Sequence, residues 1–313
     1  FPSVDAMLAS AEIDAACVCV PPALHRDISL ALFDAGVHVL CEKPLATRLA
    51  DAKAVVQAAR RARRVLMVSS KYRFLDDLDE ARRRIARGDI GRPVLYEVTF
   101  CARVPAASRW LVTPRLSGGG VLMDNGSHAF DVLAEVLDTP VAAVCATFAP
   151  PAVCPAVEDT AEILFVTKGG TPGRLALSWT YFTKDLDVLH VQGTEGGIRV
   201  AWTGGFYRRH GEREWRPFGT GYDKTAVFAR QLDAFLRWIQ DGRPTKELGD
   251  PLTNLRLIEA AYRSAREKRW VPVPASRGRR SRAAAEGAAS QATHPPGHEE
   301  RTAAVSRSRP LER

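Results

Sequence analysis

Hydrophobic and polar positions change their period twice along this chain. Ile13 to Val20 is a short, almost continuous apolar run ended by Pro21-Pro22. Val37 to Cys41 is a second such run, ended by Glu42-Lys43-Pro44, and Val65 to Ser69 is a third. Runs of this kind read as strands buried on both faces of a parallel sheet. Between them lie helical patterns. His25 to Ala35 places Ile28, Leu32 and Ala35 on one face and stops at Gly36, and Leu49 to Arg63 ends in an Arg cluster that suits the negative end of a helix dipole. Residues 4–10 read as a short helix or turn. Strand, helix, strand, helix, strand with short connections means parallel strands and right-handed crossovers.

After Leu75 to Arg87, a charged amphipathic helix closed by Gly88, the pattern changes. Pro93 to Phe100 alternates as an antiparallel strand does. Residues 121–137 read as a helix. Further strand-like segments follow at Ala142–Ala149, Thr160–Thr167, Gly173–Phe182, Asp187–Gln192 and Gly196–Trp202, separated by Gly, Pro and Asp turns. Strands in succession without helices imply a mostly antiparallel sheet. Thr225 to Gln240 is an amphipathic helix built on Phe228, Leu232, Phe235 and Ile239, Leu252 to Lys268 is another, and Trp270 to Val273 is a last short strand. From Ala275 large apolar residues nearly vanish, which predicts disorder. The expected organisation is a partial doubly wound parallel (Rossmann) domain at residues 1–74, an α+β domain with a mostly antiparallel open sheet at 75–274, and an Arg/Ala-rich tail at 275–313.

Composition changes this picture little. The 313 residues are 46% hydrophobic and 26% charged, as soluble globular chains are. No apolar run is long enough for a membrane span. The net charge of +8 suggests nucleic acid, but eight Arg and four Glu in the tail supply half of it, and no compact basic face can be read from the rest. The six cysteines lack metal-ligand or disulfide spacing, so reduced thiols, a cytoplasmic location and no metal are expected.

The candidate chemistry sits in two places. Ligands of open parallel sheets bind beyond the carboxyl ends of the strands. Pro21, Pro22 and His25 follow the first strand there, and Glu42 and Lys43 the second. Prolines make a rigid rim for a flat ligand, and Lys43 is expected in the crevice rather than in solvent. His25, at a helix start, reads equally as a capping or packing residue. The second place is Gly118-Gly119-Gly120 followed by Asp124, His128 and Asp131. On a helix Asp124 and His128 share a face one turn apart. An imidazole beside a carboxylate suits proton transfer near neutral pH, although Asp124 as an N-cap and His128 as a satisfied polar residue are the plain alternatives. Arg109-Trp110, just upstream, suit either sugar contact or anchoring of the loop.

Together, the run Val37-His38-Val39-Leu40-Cys41-Glu42-Lys43-Pro44-Leu45-Ala46, Pro21-Pro22-x-x-His25, Tyr72-Arg73-Phe74 and the Gly-Gly-Gly-x-x-x-Asp-x-Gly-x-x-x-x-Asp stretch with His128 resemble the Gfo/Idh/MocA family of NAD(P)-dependent oxidoreductases, over about residues 1–274. The resemblance implies hydride transfer between NAD or NADP and a hydroxyl or keto carbon of a sugar, cyclitol, sugar acid or nucleotide sugar. It implies a homo-oligomer formed through the second domain's sheet. By position it makes Lys43 the active-site lysine, kept cationic by Glu42 and placed to stabilise an alkoxide. His128 becomes the base and Asp124 the group that binds or orients substrate, with Pro21, Pro22, His25, Glu42 and Lys43 toward the cofactor and Arg109 and Trp110 toward the sugar. One departure stands out. The family's opening strand and Gly-x-Gly-x-x-Gly turn are absent, and the chain opens mid-pattern at Phe1. About two βα units, roughly sixty residues, are expected to be missing, which would leave an apolar sheet edge exposed. A catalytically inactive remnant serving as a sugar-binding or protein-interaction module is the alternative reading.

Overall fold

The computed structural model describes residues 1–106, 109–137, 139–181, 187–246 and 248–274. The expected tail at 275–313 lies outside them. Within residues 15–69, strands β1 (Ala15–Val18), β2 (His38–Glu42) and β3 (Leu66–Ser69) form a parallel sheet in that order. Helix α1 (Val4–Ser10) precedes it, and α2 (His25–Asp34) and α3 (Leu49–Ala62) are the crossovers. Val39, Leu40 and Cys41 of β2 are buried, and Leu32, Phe33, Ala52, Val55 and Val56 from the helices join them in the core. This is why β2 reads as an unbroken apolar run. β1 is an edge strand, and its Cys17 is exposed.

A 3-10 turn at Lys71–Phe74 and helix α4 (Asp76–Arg87) lead into the second sheet. Its strands are β4 (Pro93–Cys101), β5 (Val141–Phe148), β6 (Thr160–Thr167), β7 (Pro172–Ser178), β8 (Asp187–Gly193), β9 (Gly196–Ala201), β10 (Gly204–Arg209), β11 (Arg216–Phe218) and β12 (Val271–Pro272). They run in the order β11-β10-β9-β8-β4-β7-β6-β5-β12. Two features differ from the sequence expectation. β4 lies parallel to β7 and antiparallel to β8, so the sheet carries one parallel pair at its centre. β10 and β11 extend it beyond β9, though their residues are Gly-rich and Arg-rich and show little alternation of burial. The remaining helices are α5 (Pro114–Ser117), α6 (Val121–Val136), α7 (Lys224–Asp241) and α8 (Thr253–Glu267). α6 packs on β4 and β7, and α8 on β5.

The two sheets meet around a buried ion-pair cluster. Arg73 (10% exposed) reaches Asp131 (3%) at 2.6 Å and Glu135 (9%) at 2.8 Å, both on α6. Lys246 reaches Asp79 at 3.1 Å and Glu135 at 3.8 Å. Asp131, which the sequence places beside Asp124 and His128, is therefore part of the clamp that holds α6 against the turn after β3.

Candidate active site

The helix carrying Asp124 and His128 is positioned from its first turn. The single Oε1 of Glu158 accepts the N–H groups of Gly120 (3.0 Å) and Leu122 (3.1 Å) and the Tyr262 hydroxyl (2.6 Å). Two of the donors that a helix start leaves without partners are satisfied this way. A Cβ at Gly119 would overlap the Tyr262 hydroxyl, and one at Gly120 would overlap the Glu158 carbonyl. The glycine run is thus a close approach of backbone to side chain, and the amino end of α6 is already occupied by a carboxylate. Burial pushes the Glu158 carboxyl above its ordinary range even so, outweighing the hydrogen bonds that favour its charge.

One turn further on, Asp124 meets Lys43 across 81 residues of sequence. The Lys43 ammonium lies 2.6 Å from Asp124 Oδ1 and 3.2 Å from the Asp124 carbonyl. The two side chains are 15% and 25% exposed. The sequence pairs Lys43 with its neighbour Glu42, and the structure pairs it with Asp124 instead. Glu42 turns the other way. Its carboxylate accepts the Lys43 backbone N–H at 3.2 Å and the Ser69 hydroxyl at 2.7 Å, and Ser69 accepts from Gln231 on α7 at 2.9 Å. This chain of hydrogen bonds ties the end of β2 to β3 and to α7, so the backbone presenting Lys43 is fixed. Asn125, beside Asp124, donates to the Phe100 carbonyl at 2.9 Å and seats α6 on β4.

His128 lies half-buried against the rings of Tyr72 (5.0 Å, edge-on) and Phe100 (6.0 Å, stacked). Among the described residues no protein group hydrogen bonds to its ring nitrogens. Burial lowers its pKa well below the usual value, and the Lys43 and Lys71 cations lower it further. Burial and the two cations thus favour the neutral imidazole, one of whose nitrogens can accept a proton.

The other expected site residues fall in different surroundings. Pro21 is half-buried, and Pro22 is buried at the start of the 3-10 turn Pro22–Leu24. His25 is fully buried. Its Nδ1 lies 2.9 Å from the Pro44 carbonyl and its Nε2 2.8 Å from the Val20 carbonyl. The ring lies between the loop after β1 and the loop after β2; burial lowers its pKa, and the neutral ring donates its one N–H to one of the two carbonyls. Arg109 is exposed and Trp110 is 37% exposed. Among the described residues, no hydrogen bond or ion pair joins either of them to Lys43, Asp124 or His128.

Sequence reasoning passed over three residues that the fold brings here. Lys71 begins the turn after β3. Trp202 and Tyr222 flank Tyr72 at ring-centroid distances of 5.9 Å and 5.5 Å. The loop holding Tyr222 is pinned by buried Asp77, which accepts the N–H groups of Thr220 (3.2 Å) and Gly221 (2.9 Å). The only sequence signal for Lys71 was its place at a strand's carboxyl end. Trp202 and Tyr222 gave none.

Residues 1–70 match the family model described as an oxidoreductase family, NAD-binding Rossmann fold, and residues 78–199 match the GFO/IDH/MocA C-terminal domain. The chain is 40% identical over 144 residues to a 1,5-anhydro-D-fructose reductase of Ensifer adhaerens, a match spanning 45% of this chain and 43% of that relative. It is 29% identical over 276 residues to a D-xylose 1-dehydrogenase (NADP(+)) of Haloferax volcanii, over 85% of this chain and 82% of that one. The crystal structure of aldose-aldose oxidoreductase from Caulobacter crescentus, complexed with glycerol, superposes with a TM-score of 0.76 at 27% identity, covering 86% of this chain and 82% of that one. With both domain models matched in order and a lysine, an aspartate and a histidine gathered where the two sheets meet, the chain belongs to the Gfo/Idh/MocA family of NAD-binding oxidoreductases.

Proposed function

We propose that this protein transfers a hydride between NAD or NADP and a CH–OH carbon of a sugar-like or cyclitol substrate. The observation that carries the reading is the ion pair of Lys43 with Asp124, on the same helix as His128, whose ring nitrogens have no hydrogen-bond partner among the described residues. Oxidising an alcohol requires the hydroxyl proton to leave as the hydride does. His128 is the base that takes it, because its depressed pKa keeps a ring nitrogen unprotonated. The Lys43 ammonium stabilises the negative charge that grows on the substrate oxygen, and Asp124 holds that ammonium in place and accepts a substrate hydroxyl.

The nicotinamide cofactor supplies the hydride acceptor. The strand ends present suit its nicotinamide half. Pro21-Pro22 form a rigid rim, Glu42 is held ready by Ser69, and Lys43 is directed between the sheets. The 313 residues contain no Gly-x-Gly-x-x-Gly turn, and the amino end of α6 is capped by Glu158, so the Gly118–Gly120 run supplies no phosphate cradle. His25 holds the rim together from behind. We place the boundary between the domains at residues 74 and 75, in the gap between the two matched family models. Arg109 and Trp110 remain proposed sugar contacts. The proposed location is the cytoplasm; none of the described helices is long and apolar enough to cross a membrane. It self-associates through the open face of the nine-stranded sheet, where Leu164 is 50% exposed among Glu97, Glu162, Arg174 and His190.

The test is a panel of sugars, cyclitols and sugar acids incubated with NAD or NADP and followed at the nicotinamide absorbance. Turnover of at least one member supports the proposal. Sugar binding with no dinucleotide binding and no turnover would contradict it and favour a binding module.

A further inference from the structure

Among the described residues, the Lys71 cation has aromatic rings about it but no ion-pair or hydrogen-bond partner. The Lys71 ammonium stands 5.1 Å from the centre of the Tyr72 ring and 5.5 Å from those of Tyr222 and Phe228. Among the described residues no carboxylate lies within ion-pair distance of it and no acceptor takes its protons. Its charged neighbours are otherwise engaged. Asp124 is bound to Lys43, and Glu42 to Ser69 and to a backbone N–H. Lys43 and Lys224 are cations like itself. Beside it the Tyr222 hydroxyl is buried and has no hydrogen-bond partner among the described residues. A half-buried ammonium and an unpaired phenol together form a donor pair that lacks an acceptor.

The surroundings say which acceptor. Buried Tyr72 and Phe100 back the more open Trp202 and Tyr222 in one aromatic cluster with neighbouring ring centroids 5.4 to 6.1 Å apart. Tyr72 also touches His128 edge-on. Three of these four rings come from the second domain, on β4, just after β9 and just before α7, and not from the strand ends that face a dinucleotide. Aromatic faces suit the C–H faces of a sugar ring, and all four rings are uncharged walls that sharpen a charge–charge contact by excluding water. A pyranose or open-chain sugar seated on them with one hydroxyl at His128 would carry a substituent toward Lys71.

Resting on the hydride-transfer reading above, we propose that Lys71, with the Tyr222 hydroxyl, is a carboxylate subsite that makes sugar acids the preferred substrate class. The carboxylate of a uronate or aldonate accepts from both donors while the ring stacks on the basket. A charge-assisted hydrogen bond in such surroundings is worth about a tenfold gain in affinity.

Binding is measured with the full chain by calorimetry and by tryptophan fluorescence, which Trp202 reports. The probes are three matched pairs: D-glucose and D-glucuronate, D-galactose and D-galacturonate, D-xylose and D-xylonate. At least one acid binds about tenfold more tightly than its neutral partner. Lys71→Met removes that preference and leaves the neutral sugar unchanged, and Lys71→Arg retains most of it. Melting curves of both variants overlay the wild type, which separates the subsite from a folding defect. Neutral and acid forms bound equally by the wild type would overturn the subsite while leaving the hydride-transfer reading intact. No sugar bound at all would overturn both. A Lys71→Met variant that weakens NADH and spares the acids would assign the ammonium to the cofactor's diphosphate and overturn the subsite.

Discussion

Glu158 fixes the helix on which the chemistry depends, and its removal has a magnitude that the structure sets. The Gly120 and Leu122 N–H groups and the Tyr262 hydroxyl converge on one of its oxygens. Glu158→Ala strips the acceptor from all of them. The two helix-start donors can turn to water in part, a loss of about 1 kcal/mol by analogy with a lost N-cap. The Tyr262 hydroxyl, half-buried against Gly119, loses its acceptor, a further cost of about 2 kcal/mol. The sum is about 3 kcal/mol. Glu158→Gln behaves differently, because its amide oxygen can receive the same three bonds. It gives up the charge at the positive end of the helix dipole, worth about 0.5–1 kcal/mol. It also gives up the burial of that charge, whose cost is what pushes the carboxyl's pKa upward. The two partly cancel, so Gln costs less than about 1 kcal/mol. Urea unfolding followed by circular dichroism, with unchanged slopes, reads both values. A Tyr262→Phe background should reduce the Ala penalty, since the orphaned hydroxyl is then gone. An Ala variant within experimental error of wild type, or a Gln variant as damaged as Ala, would refute the capping account.

Two further outcomes follow from buried charge. Arg73→Ala leaves Asp131 and Glu135 without the cation they share, and of these two carboxylates Lys246 reaches Glu135 but not Asp131; a loss of roughly 3–5 kcal/mol in urea unfolding is expected, and Arg73→Lys should recover only part of it, having no fork to span both carboxylates. The pKa values of His25 and His128 are lowered on folding. The unfolded chain therefore binds more protons once the pH falls below about 6.5, so stability from these groups is complete above that value and lost below it. Thermal melts should be flat above this point and fall on the acid side, with a shallower fall in His128→Asn. For the same reason the acid limb of kcat/KM should lie below 6.5, and a limb above the ordinary histidine pKa would exclude His128 as the base.

Much of the frame can be read from the chain because the relevant information is local. The unbroken apolar run of β2, ended by Glu42-Lys43-Pro44, announces a buried parallel strand and puts Lys43 at its carboxyl end. The 3.6-residue period of α6 places Asp124 and His128 on one face. What could not be read depends on docking. The partner of Lys43 is decided by how α6 meets the end of β2, 81 residues away, and nothing in Glu42-Lys43 itself directs the ammonium away from its neighbour. The reasons for Gly119 and Gly120 are Tyr262 and Glu158, which come from α8 and from a loop, while Gly118 takes a left-handed φ of +78° close against Thr47. β10 and β11 escaped notice because Gly204-Gly205 and Arg208-Arg209 lack the alternation that marks a strand. His25 is instructive in another way. A histidine after a proline pair reads equally as a ligand contact or a packing residue, and only the two carbonyls on its ring nitrogens show that it joins two loops.

The central claim is that Lys43, Asp124 and His128 act as one site on a substrate hydroxyl. Steady-state turnover of Lys43→Ala and His128→Ala, with the best substrate of the panel and monitored at the nicotinamide absorbance, tests it most directly. The account predicts that each variant folds as the wild type does and loses at least about 10²-fold in kcat. Turnover within a few-fold of wild type in either variant would contradict it.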